Sequence, residues 1–245
     1  MAFDEALTIA SIALNVALGT VLVGKRIFRH FPVFFFYICF EFVSDSAGLL
    51  VLHRFPGWYP LFYLIDDALD TLLYLGILVE IGKNLLRYNQ TRLSRQRFVA
   101  IPLFALAFML ALFSIGRTTP WGNSPLAAFY YLQTQEVEVL EFAAFLALAW
   151  WSSLRKLRWP PQELRFATGL GISAFAGFII AILHARIAPG TWFRRLDMMG
   201  TIVDLAVLAY WLYVFWVVDD SVGATPALRE KPIVAQRDGS GHPTP

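Results

Sequence analysis

The stretch LFYLIDDALDTLLYLGILVEIG, residues 61–82, sets the main constraint on how this chain folds. Its 22 residues are mostly apolar, and a helix of that length, at about 1.5 Å per residue, crosses about 30 Å of hydrocarbon. The same stretch carries four carboxylates, Asp66, Asp67, Asp70 and Glu80. A charge at the centre of a bilayer costs at least about 2.5 to 3.5 kcal/mol, so these groups predict a helix with one side turned away from lipid.

The rest of the chain is equally apolar. Hydrophobic residues make up 58% of the 245 and charged residues 16%, against about 45 to 50% and about 25% in a soluble domain. The apolar runs are continuous and do not alternate, which favours helices over barrel strands. Residues 1–218 therefore predict an all-α, polytopic transmembrane bundle of seven helices, near 6–24, 32–53, 60–82, 98–116, 129–153, 166–185 and 198–218.

Basic residues predict the orientation of this bundle. With the N-terminus outside, 15 of the 20 Lys and Arg residues fall on the cytoplasmic side, as the positive-inside rule requires. The C-terminus is then cytoplasmic, and an odd number of spans is favoured. Residues 219–245 are rich in Pro, Gly and charge with no periodic apolar face, and they predict a disordered cytoplasmic tail.

Acidic residues are unevenly distributed on this topology. Twelve of the 18 lie at the middle or in the outer half of the bundle, and several are three or four residues apart, which places them on one helix face. Because charged side chains avoid lipid, we expect them to converge on an acidic pocket that opens outward and binds a ligand or protons. The predicted site comprises Glu41, Asp45, Asp66, Asp70, Glu138, Glu141 and Asp204.

A simpler interpretation stays open for some of these acids. Carboxylates in the first turn of a helix are favoured by the helix dipole at about 0.3 to 1 kcal/mol each, which would explain Asp66, Asp67, Glu136 and Asp197 without a site. Glu80 lies one turn before Lys83 at the predicted cytoplasmic boundary, and this spacing predicts an interfacial ion pair.

Basic and small residues near the predicted pocket suggest further roles. Arg186, Arg194 and Arg195 lie in the outer loop before the last helix, where they could pair with the acids and gate the pocket. On the sixth segment, small residues recur every four positions, a pattern that predicts close approach of helix backbones. The stripe is Gly169, Ser173, Gly177, Ala181 and Ala185.

Several function classes are excluded by missing residues. All four lysines fall in cytoplasmic segments or at their edge, so no lysine could hold retinal as a Schiff base. There is no His-x-x-x-His pattern, phosphate loop or nucleophile elbow, and His53 and His184 are only weak metal candidates. No cofactor is predicted, although a divalent cation is possible. The basic third cytoplasmic segment indicates positive-inside charge and no nucleic-acid partner.

Three short motifs resemble stretches of known proteins. FPVFFFYICF opens the second segment, YPLFYLIDD opens the third and ILVEI closes it. Over about the first hundred residues the chain resembles a group of small bacterial seven-helix membrane proteins of no known activity. The resemblance implies a multi-pass protein of the bacterial cytoplasmic (inner) membrane and assigns no functional residue.

Three functions remain, in order of preference. The first is binding or sensing of a cation, a proton or a cationic small molecule in the outer pocket. The second is a proton- or cation-coupled transporter. Against it, the inner half of the predicted bundle offers no acidic path beyond Glu80, and the sequence shows no inverted repeat. The third is a metal-dependent intramembrane enzyme. The predicted partners are the lipid bilayer and a small cationic ligand, and the oligomeric state stays open.

Overall fold

The protein is all-helical wherever its structure is described. The computed structural model describes residues 2–89, 125–184, 186 and 191–217, with the side chains of 2–4, 125–136 and Phe193 left out. The predicted fourth segment, 98–116, and the predicted tail, 219–245, lie outside the described residues. The six long helices are α1 (Ala2–Gly24), α2 (Pro32–Arg54), α3 (Tyr59–Tyr88), α4 (Pro125–Leu154), α5 (Pro161–His184) and α6 (Thr191–Val217).

These six helices form a closed ring. Each packs against its neighbours in chain order, and α6 closes the ring by packing on α1. Helices α1, α3, α4 and α6 end at what we call the lower end, where α2 and α5 begin. At the opposite, upper end, α2 and α5 finish and the other four start. A ring of this kind leaves a central space enclosed by all six helices.

Five of the described helices are long and apolar enough to cross a membrane. Their spans are Glu5–Gly24, Pro32–Arg54, Val137–Leu154, Pro161–His184 and Arg194–Val217. The chain is therefore a multi-pass membrane protein. The acid-bearing α3 is not among the five, although at 30 residues it is as long as α4.

Tryptophans mark both ends of the bundle surface. Trp58 and Trp192 lie at the upper end and Trp150 and Trp216 at the lower end, each 65–70% exposed. Trp192 and Trp216 are 24 residues apart on α6, about 36 Å of helix. This separation matches a hydrocarbon core of about 30 Å between two interfaces where Trp is enriched. Asp204 is 12 residues from each of them, and this position predicts a location near the bilayer midplane.

Glu80 caps helix α2 from the neighbouring helix. Its Oε1 accepts a hydrogen bond from the Val33 backbone N–H at 3.1 Å, and its Oε2 accepts one from Phe34 at 3.2 Å. Pro32 has no N–H, and Phe35 donates to the Phe31 carbonyl, so these contacts complete the first turn of α2. Lys83 is also within electrostatic range of Glu80, so the cap is a role in addition to the interaction that the spacing predicted.

Other polar contacts tie the lower end together. Asn89, just after α3, accepts a hydrogen bond from the Arg158 N–H and donates one to the Arg158 carbonyl, both at 3.0 Å. Lys25, just after α1, donates to the carbonyl of Trp216 in α6 at 2.6 Å. Because these bonds join the ends of α3 and α4 and of α1 and α6, the helices of each pair run in the same direction.

An aromatic cluster fills the lower half of the ring. Phe34 packs on Phe166 at 4.4 Å and on Trp211 at 5.1 Å between ring centroids, and Phe31 and Phe215 pack on Phe166. All five residues are at most 3% exposed. We call this cluster the aromatic floor, because it closes the central space from below.

The end of α4 offers a test of backbone conformation. Lys156 adopts a left-handed conformation (φ 51°), and the Leu157 N–H donates to the Ser152 carbonyl, as in a Schellman cap. Glycine adopts this conformation without the Cβ clash, so we expect Lys156→Gly to raise the free energy of unfolding by about 1 kcal/mol. Denaturant unfolding in micelles measures it. Lys156→Ala removes the same charge but keeps Cβ, and an equal gain for both variants would contradict the backbone explanation.

Candidate functional site

A cavity of about 770 Å³ occupies the upper and middle part of the ring. All six helices contribute to its wall, from Ser11 on α1 to Trp211 on α6. Along α6 the lining runs from Arg194 to Trp211, 17 residues or about 25 Å of helix. The cavity therefore extends from the upper end past the predicted bilayer midplane and ends at the aromatic floor.

Carboxylates dominate the polar lining of this cavity. Six of the seven predicted site residues are there, and Asp67 and Asp197 join them. Glu141, for example, lies within electrostatic range of carboxylates on α3, α4 and α6. The spacing of the acids in the sequence suggested that their side chains converge. The packing of the six helices in a ring brings these carboxylates together. The eight acids are Glu41, Asp66, Asp67, Asp70, Glu138, Glu141, Asp197 and Asp204.

Asp45 is the predicted site residue that the cavity leaves out. It lies beside the cavity wall, where its carboxylate accepts a hydrogen bond from Ser11. Asp45 follows Glu41 by four residues, but the roughly 40° offset between such positions turns it toward α1. The shared helix face was therefore too coarse a criterion for this residue.

Glu41 and Asp70 lie next to each other across the α2–α3 contact. Each carboxyl group lies within interaction range of the other, and Tyr37 lies beside Asp70. The two acids are therefore close neighbours in the wall of the cavity.

Two hydroxyl groups hold further carboxylates in place. Ser44 on α2 donates to Asp66 on α3. Ser173 on α5 donates to Asp204 on α6 at 2.6 Å. Hydroxyl donors stabilise a carboxylate that is partly removed from water, so both serines position acids on the cavity wall.

Small residues on α5 make room for side chains of neighbouring helices, in addition to the helix packing that their spacing predicts. A Cβ added at Gly177 would collide with the Glu138 carboxylate, and one added at Gly169 would collide with the Trp211 ring. Gly177 therefore lets Glu138 enter the cavity, and Gly169 lets Trp211 complete the floor. Ala185, the last member of the stripe, lies outside the described residues.

Three polar atoms at the cavity have no hydrogen-bond partner among the described residues. They are Asp70 Oδ1, the Tyr74 hydroxyl and Glu141 Oε1. Tyr74 is 4% and Glu141 8% exposed, and both line the cavity. A buried polar group without a partner costs about 1 to 3 kcal/mol. Such atoms can be satisfied by water or by a ligand with hydrogen-bond donors.

The predicted arginines are dispersed around the upper end. Arg194 lines the cavity. Arg195 instead stacks on Trp192, with its Cζ 4.8 Å from the centroid of the indole ring. Arg186 is exposed, just after the last turn of α5. At the mouth of the cavity, His184 Nε2 lies 3.3 Å from Asp197 Oδ1, which is within ion-pair distance. One of the three arginines is thus placed to contact a molecule in the cavity.

The two histidines named as weak metal candidates lie apart from each other. His53 lies outside the cavity with its Nε2 at 3.8 Å from Glu5, while His184 pairs with Asp197. Within the described ranges, no three His, Cys, Asp or Glu side chains are arranged to hold a metal ion.

The helix-dipole interpretation of the outer acids was wrong. Helix α3 begins at Tyr59 and α6 at Thr191, so Asp66, Asp67 and Asp197 lie beyond the first turn. Glu136 is also well inside α4, although its side chain lies outside the described set.

Some site residues were not selected from the sequence. Tyr74, one turn after Asp70, could have been found by extending the acidic face by four residues. Ser173 and Gly177 were assigned to helix packing, because nothing in their spacing indicates which side chain faces them.

The chain has no match in the comparisons with known proteins. No family model, curated protein or solved structure is similar to it.

Proposed function

We propose that this protein binds or senses a cation, a proton or a cationic small molecule in the cavity. The observation that carries this proposal is the convergence of eight carboxylates on one cavity, where three buried oxygens, Asp70 Oδ1, the Tyr74 hydroxyl and Glu141 Oε1, have no hydrogen-bond partner among the described residues. Carboxylates in a low-dielectric site repel one another unless protons or cations neutralise them. A bound cation would relieve this repulsion and could shift the packing of helices from which the acids come.

The membrane arrangement is part of the proposal. Seven helices span the bacterial inner membrane, with the N-terminus and the cavity mouth outside and the C-terminus in the cytoplasm. The parallel directions of α3 and α4, both described, are consistent with this proposed count. Nine basic side chains flank the lower end, and this charge supports a cytoplasmic location for it. They are Lys25, Arg26, Arg29, Lys83, Arg87, Arg155, Lys156, Arg158 and Arg165.

Reporter fusions test this orientation. A fusion after Asp220 should be active in the cytoplasm, and a fusion in the loop at 120–124 should be active in the periplasm. Reversed signals would contradict the orientation and place the cavity mouth on the cytoplasmic side.

The binding proposal predicts that cations stabilise the purified protein. A ligand at a hundred times its dissociation constant adds about 2.7 kcal/mol to the free energy of unfolding. Thermal unfolding in micelles with Mg²⁺, Ca²⁺, tetramethylammonium or spermidine, over a pH series, measures this shift. Glu41→Gln with Asp70→Asn should abolish it.

One outcome would contradict binding altogether. If no cation stabilises the wild type and the double variant is simply more stable, the acids form a structural proton-sharing network. The fusions described above serve as the control, since the double variant should keep the wild-type topology.

Transport is the second candidate, and one feature of the cavity favours it. The carboxylates reach the predicted midplane at Asp204, the depth at which transporters hold their coupling ions. Below them the aromatic floor presents no carboxylate, so transport would require the floor to open. Uptake of the stabilising cation into proteoliposomes distinguishes transport from binding.

A further inference from the structure

We propose that the ligand of the cavity is a linear polyamine, a flexible aliphatic chain with two or more ammonium groups. This inference rests on the proposed binding function and names its ligand class. The acid cluster alone would not support it. Tyr74 and Glu141 provide the second observation, because each is more than nine-tenths buried, lines the cavity and has an oxygen without a partner in the described structure. These oxygens require hydrogen-bond donors, and an ammonium group supplies three.

The charge of the lining favours a multivalent ligand. Eight carboxylates line the cavity, and the basic side chains among the lining residues are Arg194 and His184, both at the mouth. A single positive charge would leave most of the carboxylates uncompensated. A polyamine neutralises several at once while its methylene groups keep the charges separated.

The shape of the acid array favours an elongated ligand. Asp197 and Asp204 are seven residues apart on α6, about 10 Å of helix, and Asp66 and Asp70 are one turn apart on α3. In a polyamine, nitrogen atoms separated by three or four methylene groups are roughly as far apart as one turn of a helix, about 5.4 Å. The carboxylates thus lie at successive depths, as the nitrogens of an extended polyamine do.

The remaining lining suits the hydrocarbon part of such a molecule. Tyr37, Tyr63, Tyr74 and Trp211 are aromatic, and the cavity ends on apolar Leu170 and Val207. Aromatic faces attract ammonium groups and also contact methylene groups. A compact metal ion would use neither feature, and in the described part of the chain no three ligand side chains converge on one point.

The test compares amines of increasing charge on the full chain in micelles. Affinity, measured by titration calorimetry, should rise roughly tenfold for each ammonium group from 1-aminobutane to 1,4-diaminobutane to spermidine. Glu141→Gln should weaken spermidine binding at least about tenfold, and Tyr74→Phe should weaken it a few-fold. Glu5→Gln, an exposed acid at the same end outside the cavity, is the matched control and should leave affinity unchanged.

The outcomes separate this inference from the function on which it rests. If Mg²⁺, Ca²⁺ or 1-aminobutane binds as tightly as spermidine, the polyamine assignment is wrong and the cation-binding function stands. If spermidine binds equally to wild type, Glu141→Gln and Glu5→Gln, its binding is non-specific and the assignment is also wrong. If none of the amines or metal ions binds, the polyamine assignment and the cation-binding function both fail.

Discussion

Replacing Glu80 by alanine should lower the free energy of unfolding by about 3 kcal/mol. The substitution leaves the N–H groups of Val33 and Phe34 without their acceptor, in a part of the bundle where Phe34 is fully buried. Each buried donor without a partner costs about 1 to 3 kcal/mol. Denaturant unfolding in mixed micelles measures the loss, with the helical circular dichroism signal as the readout.

Two control variants distinguish the cap from the ion pair. Glu80→Gln offers one acceptor oxygen in place of two, so its loss should be about half that of alanine. Lys83→Ala should cost less than about 1 kcal/mol, as expected for an exposed ion pair. If Lys83→Ala destabilises the protein as much as Glu80→Ala does, the ion pair and not the cap explains the role of Glu80.

Gly169→Ala should also destabilise the protein, by about 2 kcal/mol. The new Cβ would lie 2.7 Å from Cε2 and 3.1 Å from Cδ1 of Trp211, and it would contact Nε1 even more closely. The indole is held by packing on Phe34 and Phe166 and by a 3.3 Å hydrogen bond from its Nε1 to the Phe166 carbonyl. Overpacking of such a core costs about 1 to 3 kcal/mol.

A matched glycine and a double variant test this explanation. Gly48, also inside a helix, has as its nearest neighbour an atom of Phe62 at 3.5 Å, an ordinary contact. Gly48→Ala should therefore be neutral or stabilising, since alanine is the better helix former by about 1 kcal/mol. Trp211→Phe should partly rescue Gly169→Ala in a double-mutant cycle. Additive effects would show that Trp211 is not the obstacle.

The membrane-spanning character of the chain was predictable from sequence for a simple physical reason. A helix in lipid satisfies its own backbone hydrogen bonds, so about 20 continuous apolar residues suffice to predict one. Helix α2 follows its predicted segment closely, at Pro32–Arg54 against 32–53. Helices α5 and α6 begin five and seven residues before the predicted 166 and 198. Helix α3 continues past the predicted 82 to Tyr88, because its polar last turns are held by contacts of Glu80, Asn84 and Asn89 with other parts of the chain.

The acids of the cavity were only partly predictable. Their exclusion from lipid is a property of each carboxylate, so the sequence identified most of them. Which acids meet depends on the rotation of each helix about its axis, and residue spacing within one helix does not contain this information. Asp45, which lies beside Ser11, was misjudged for this reason. Asp197, which lines the cavity mouth, was misjudged because α6 begins at Thr191 and not near the predicted 198.

The sequence by itself determined a helical, multi-pass membrane protein whose carboxylates had to avoid lipid, because hydrophobicity and helix length act within each segment. The tertiary structure alone decided the specific partners. It placed the Glu80 carboxylate of α3 against the first turn of α2. It also placed Glu41 beside Asp70 and Glu138 against Gly177. Each of these contacts joins residues that are distant in the chain, and only the packing of the ring brings them within hydrogen-bond or van der Waals distance.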